Sequence, residues 1–123
     1  MVRRLAPLAF VLTVSVASSA HAQSAEDGRA VFKQICSICH EVVAGKNRIG
    51  PSLFGVVGRK TGSVEGFHYS DANKNANLTW DPATLDRYLA NPRGVVPGTT
   101  MAYAGLKDDK KRADLIAFLG TLH

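Results

Sequence analysis

The only two cysteines of the chain, Cys36 and Cys39, stand three residues apart with His40 directly after them. That triplet constrains the fold more than any other feature. A disulfide across so short a span would staple almost nothing. A structural zinc site needs about four ligands, and the later histidines, His68 and His123, come singly and without a second paired spacing. A redox dithiol of the thioredoxin kind would sit between a strand and a helix, and no strand pattern flanks these cysteines. The spacing Cys36-Ser37-Ile38-Cys39-His40 is instead the one that attaches haem c, in which two thiols add to the vinyl groups and the next residue offers an imidazole to the iron. Three residues make slightly less than one helical turn, so both sulfurs are expected on one porphyrin edge.

The rest of the chain fits a small exported protein. Arg3 and Arg4, an apolar run from Leu5 to Ala17 and the ending Ala20-His21-Ala22 form the pattern of a secretory signal over residues 1–22. The run is too short to span a bilayer, so cleavage is expected, leaving a single domain over 23–123. Removing Arg3 and Arg4 takes the formal charge from +5 to +3. That field is too weak to imply nucleic acid. With 46% apolar and 20% charged residues the composition is that of a globular domain.

Hydrophobic spacing predicts an all-α fold. Ser24, Glu26 and Asp27 mark the start of a first helix whose Gly28, Val31, Phe32 and Ile35 recur at helical intervals and which carries the cysteine motif at its end. Gly28 is costly inside a helix unless another helix approaches it closely, and the last helix is the expected partner. Residues 41–69 are glycine-rich and aperiodic, which predicts a long ordered loop. So long a loop is unusual in a small domain unless it wraps a large flat cofactor. Ser70 or Asp71 caps a short helix through Lys74. Asp81-Pro82 opens another, with Leu85, Tyr88 and Leu89 on one face and Pro92 beyond its end. Residues 91–106 read as a second loop. A last helix begins near Asp108, with Leu115, Phe118, Leu119 and Leu122 as its core stripe.

An iron held by His40 leaves its other face to Met101, His68 or His123, or leaves it an open site. Met101 lies in the rigid segment Val96-Pro97-Gly98-Thr99-Thr100-Met101, and a thioether suits low-spin iron, so Met101 is the expected second ligand.

At this point a resemblance emerges. It is carried by the cysteine motif together with Gly50-Pro51-Ser52-Leu53-Phe54-Gly55, Gly58-Arg59-Lys60-Thr61-Gly62, Tyr69-Ser70-Asp71-Ala72-Asn73-Lys74-Asn75, Leu78-Thr79-Trp80 and Pro97 to Gly105. The chain resembles class I cytochromes c of the mitochondrial and bacterial cytochrome c2 type, from about Gly28 to Leu122, nearly the whole of 23–123. The resemblance implies a single-domain fold of helices and long loops around one covalent haem c, with Cys36 and Cys39 as attachment points and His40 and Met101 as axial ligands. It further implies that the Pro51 carbonyl accepts the other His40 ring N–H. Arg59, Tyr69 and Trp80 would bind the propionates, and Asn73, Tyr88 and Thr99 would form a polar cluster beside Met101. The implied function is that of a soluble, monomeric, periplasmic electron carrier and not an enzyme. It would dock its haem edge on membrane-bound complexes, such as a cytochrome bc1-type donor and an oxidase or photosynthetic reaction centre. The rival reading is a haem peroxidase or gas sensor with a labile methionine. Two departures from the family pattern bear on docking. Ile35, Gly94 and Thr100 are uncharged where lysines ring the edge, leaving Lys33, Arg93 and Lys107 as a partial ring, and Tyr103 stands where phenylalanine is usual.

Overall fold

Short helices in this chain begin where a side chain takes over the backbone N–H groups that a helix start leaves unpaired. The computed structural model describes residues 23–123; the expected export signal, 1–22, lies outside the described residues. Ser24 caps α1 (Ala25–Val31) by accepting from the Asp27 N–H. Ser70 caps α2 (Asp71–Asn75) through the Asn73 N–H, Asp81 caps α3 (Pro82–Ala90) through the Thr84 N–H, and Asp108 caps α5 (Asp109–Leu119) through the Lys111 N–H. Each of these starts lies where the sequence predicts it.

Three details differ from expectation. Residues 91–106 contain a further helix, α4 (Pro92–Val95), capped by Asn91 through the Gly94 N–H. Asn91-Pro92 repeats the cap-and-first-turn chemistry of Asp81-Pro82, so the proline that ends α3 also starts α4. After Val31 the first helix widens into a π-helical turn, Phe32–Cys36, in which the Ser37 N–H reaches back five residues to the Phe32 carbonyl at 2.9 Å. Cys36 is therefore the last residue of a π turn rather than of an ordinary α turn, and Cys39 follows that turn. Leu122 falls beyond the end of α5; its carbonyl accepts from the Gly55 N–H at 2.6 Å and its half-buried side chain still packs on the core. Among the described residues the only sheet-like pairing is an isolated antiparallel bridge between Lys60 and Thr79.

The core forms where α1 crosses α5 and α3 packs on α5. Phe32 and Phe118 meet with ring centroids 5.6 Å apart, and Leu115, 2% exposed, is among the most deeply buried side chains. Burying a leucine this fully stabilises by about 1.5–3 kcal/mol. At the crossing, a Cβ on Gly28 would lie 1.9 Å from the Asp114 carbonyl oxygen, so the expected close approach is real and its partner is the last helix. The same crossing is tied by the Ser24 N–H donating to Asp114 Oδ1 at 2.8 Å, and Lys110 holds the other carboxylate oxygen at 2.7 Å. These two donors, led by Lys110, keep the Asp114 carboxyl below the usual aspartate range.

A second knot fixes the segment that follows Met101. Leu106 donates its N–H to the Leu89 carbonyl at 2.7 Å and accepts from the buried Arg112 guanidinium at 2.9 Å. Arg112 also pairs with Asp86 of α3 and Asp109 of α5, each at 2.7 Å. Gly105 is needed there, because its φ is +119° and a Cβ would meet the Ala90 carbonyl oxygen.

Candidate functional site

Between α3, the π turn and the long loops lies a cleft of about 390 Å³. Every residue named from the sequence as a cofactor or metal ligand lines it: Cys36, Cys39 and His40 from the first helix and its turn, Pro51, Arg59 and Tyr69 from the first loop, Asn73 and Trp80 from the α2 region, Tyr88 from α3, and Thr99 and Met101 from the second loop. The rival histidines are elsewhere. His68 is absent from the lining, and the exposed His123 ring is 3.1 Å from the Gly120 carbonyl.

One wall carries the cysteine motif. Cys39 and His40 both turn their backbone N–H onto the Cys36 carbonyl, at 3.1 and 2.9 Å. His40 Nδ1 stands 2.8 Å from the Pro51 carbonyl oxygen, which can only accept, so Nδ1 carries the proton and Nε2 keeps its lone pair. Burial, more than any neighbouring charge, holds this imidazole below its ordinary pKa and favours the neutral ring that ligates metal. Burial likewise pushes the Cys36 thiol up to about 11, with the Cys39 charge adding to the effect. A redox-active dithiol has the opposite signature, a thiolate stabilised at neutral pH. Among the described residues no group of three or more His, Cys, Asp and Glu side chains comes together to hold a metal ion, which leaves the zinc reading without support.

On the wall formed by α3 and the second loop, the Tyr88 hydroxyl donates to Met101 Sδ at 3.5 Å. Asn73, Tyr88 and Thr99 line the same cleft as Met101, and burial raises the Tyr88 pKa, opposed by the nearby Thr99 and Asn73 side chains. Thr99 Oγ1 also accepts the Met101 N–H at 3.2 Å, and the Ser70 hydroxyl donates to Asn73 Oδ1 at 3.1 Å. A thioether sulfur has two lone pairs, and one hydrogen bond leaves the second available. Trp80 packs on Tyr88 with centroids 4.6 Å apart and the ring planes inclined at 48°.

Arg59 supplies the test of fit. Its two terminal nitrogens donate to the Phe54 and Ser52 carbonyls at 3.0 and 3.1 Å, but its Nε is buried with no partner. Among the described residues it joins no ion pair. Burial pulls the guanidinium below its usual pKa, the expected response of a cation facing an apolar cleft without a counter-ion. A carboxylate on a cofactor lying in the cleft would satisfy both the orphan N–H and the charge. The Tyr69 hydroxyl already accepts the Val64 N–H at 3.0 Å and keeps its own proton to donate. The residues present therefore fit a haem with its propionates.

Two contributors are not identified by sequence reasoning. Gly50 lies flat against His40: a Cβ there would be 2.2 Å from the imidazole Cε1. The signal is the Gly50-Pro51 pair itself, a small residue ahead of the carbonyl that anchors the ring. Asn47 ties the first loop together, accepting the Ser52 N–H at 2.9 Å and donating to the Glu65 carbonyl at 3.4 Å, and nothing in its sequence context marks it.

Known proteins of the same shape and sequence pattern carry the identification further. The family model for cytochrome c matches residues 25–123. A cytochrome c2 from Rhodomicrobium vannielii is 57% identical over 109 residues, spanning 85% of this chain and 86% of its own length. A cytochrome c2 from Blastochloris viridis is 50% identical over 111 residues, covering 89% and 86%, and a cytochrome c from Stellaria longipes is 53% identical over 96 residues, covering 77% and 89%. Among solved structures, cytochrome cH from Methylobacterium extorquens superposes with a TM-score of 0.75 at 45% identity, covering 80% of this chain and 98% of that one. The chain belongs to the cytochrome c family of single-haem electron carriers, whose haem c is bound covalently through a cysteine pair.

Proposed function

We propose that the mature chain, residues 23–123, passes single electrons between membrane-bound redox complexes in the bacterial periplasm. In this reading Cys36 and Cys39 would hold the haem, and His40 and Met101 would ligate its iron. The observation that carries it is the pairing of two prepared ligand atoms on one cleft: an imidazole whose Nδ1 is committed to Pro51 and a thioether steadied by Tyr88. The bound haem supplies an iron that changes oxidation state by one electron without making or breaking bonds.

The chain's residues serve that exchange by holding still. Pro51 fixes the His40 tautomer, and Thr99, Asn73 and Tyr88 hold Met101 in one place, so little reorganises when charge moves. Arg59, with Tyr69 and Trp80, compensates the propionates, which would otherwise be costly to bury. With His40 and Met101 both bound to its iron, a haem held here would offer oxygen and peroxide no vacant position, which favours a carrier over an enzyme. Lys33, Arg93 and Lys107 offer a modest positive rim for an acidic partner, though Lys107 also hydrogen-bonds the Ala90 carbonyl. The export signal over 1–22 delivers an unfolded chain with free thiols to the compartment where haem is attached.

The reading is tested on the purified native protein. A covalent haem that survives acid-acetone extraction, a near-infrared sulfur-to-iron band and refusal of carbon monoxide at neutral pH are expected. Ready carbon monoxide binding would instead place the chain with haem sensors or peroxidases. Cell fractionation together with the mature N-terminal sequence tests export, and holoprotein accumulating in the cytoplasm would refute it.

A further inference from the structure

A helix end leaves carbonyls without partners, and here the end in question bears the haem attachment residues. The Ser37 carbonyl accepts from Arg48 Nη1 at 3.0 Å, and the Ile38 carbonyl accepts from Arg48 Nη2 at 3.2 Å. The Cys39 carbonyl accepts from the Gly50 N–H at 2.9 Å, and His40 Nδ1 donates to Pro51. Four consecutive residues, Ser37 to His40, are thus each held by the short segment 48–51. The segment is folded for the task, because the Arg48 N–H donates to the Gly50 carbonyl at 2.9 Å and brings the guanidinium and the Gly50 N–H to the same side. Gly50 then presses directly on the imidazole.

We infer that Arg48 is a positioning residue for the iron's histidine ligand: its guanidinium caps the end of the haem-bearing turn and holds that turn in register with Gly50 and Pro51. The inference rests on the reading of His40 as the axial ligand. A planar guanidinium suits the position, since its two terminal nitrogens diverge toward two carbonyls, whereas an ammonium is a single point of donation. A cation is also favoured at this end by the helix dipole. Glu41 Oε1, 3.4 Å from Nη1, adds little, because both side chains are well exposed.

The test uses the reduced holoprotein and follows hydrogen exchange of the Gly50 N–H and the His40 ring N–H, with the Leu115 amide of α5 as a core reference. Arg48→Gln is expected to speed both site exchanges about tenfold while Leu115 is unchanged, since hydrogen bonds from a charged group are lost locally. Arg48→Lys, which keeps the charge but not the fork, is expected to keep the reduction potential of the wild type and still speed exchange. Lys46→Gln, an equal loss of charge on the same loop, is expected to leave exchange unaltered. Unchanged exchange in Arg48→Gln, equal acceleration at Leu115, or an Arg48→Lys protein with wild-type exchange would each overturn the inference. Failure of the underlying reading is distinguishable: the wild-type ferric protein would then lack hyperfine-shifted resonances from the His40 ring.

Discussion

Replacing Gly28 by alanine sets two effects against each other, and the geometry decides between them. Alanine is the better helix former by about 1 kcal/mol, so an isolated α1 would gain. In the folded protein the new Cβ would lie 1.9 Å from the Asp114 carbonyl oxygen and 2.8 Å from Phe118 Cβ. Ordinary contact begins near 3.4 Å, so α1 and α5 must separate by roughly 1.5 Å, and the nearer obstacle is backbone that cannot rotate aside. A gap of even 0.5–1 Å forfeits a quarter to a half of the dispersion energy of each contact across it. The side chains affected are Val31, Phe32, Leu115, Phe118 and Leu119, which share one core and are each worth about 1.5–3 kcal/mol when fully buried. A loss of about 3 kcal/mol offset by the helix propensity leaves roughly 2 kcal/mol of net destabilisation. For a domain of this size that lowers Tm by about 8–16 °C. Guanidinium unfolding of the ferric holoprotein, followed by far-UV circular dichroism, measures it. The haem spectrum should stay as in the wild type, since Gly28 does not line the cleft. A Gly28→Ala protein as stable as the wild type, or more so, would refute the argument.

Replacing Cys36 and Cys39 together by alanine is expected to leave a haem-free chain largely unfolded; a cooperative melt with native circular dichroism would contradict this. Met101→Ala is expected to open the iron to carbon monoxide and lower the reduction potential, and retention of the sulfur-to-iron band would exclude Met101 as ligand. Asp114, whose folded pKa lies below the ordinary 3.8, contributes stability that is complete above that value and fades as pH falls beneath it. The stability gap between wild type and Asp114→Asn should therefore be full at neutral pH and shrink in acid, as unfolding curves across that range would show; a gap that persists well below 3.8 would be inconsistent with it.

Helix starts were legible because Ser24, Ser70, Asp81 and Asp108 act through local chemistry that a few residues contain. The close approach at Gly28 was legible for a related reason: a glycine in a helix has a cost that only packing explains. The π turn Phe32–Cys36 was not, because the apolar spacing that marks the helix does not separate a turn closed over five residues from one closed over four. In the sequence Asn91-Pro92 reads only as a stop, and the Asn91 side chain, turned onto the Gly94 N–H, is what makes it a start as well. The ligand set could be named from the motif and the family resemblance, yet the hold of Arg48 on two carbonyls and the contact of Gly50 with His40 are tertiary facts. Nothing in the residues around Arg48 separates it from any exposed loop arginine.

The hydrogen bond from Ser24 to Asp114 joins positions 90 residues apart, and this separation sets an order of events. Seven residues of α helix do not persist alone in water, so α1 has no stable form until α5 arrives. A chain entering a compartment N-terminus first presents Cys36 to His40 long before Asp114 emerges. During that interval α1 has no α5 to pack on, and Cys36 and Cys39 stay on open chain. α1 is completed only when Asp114 and the rest of α5 are available to pack on it.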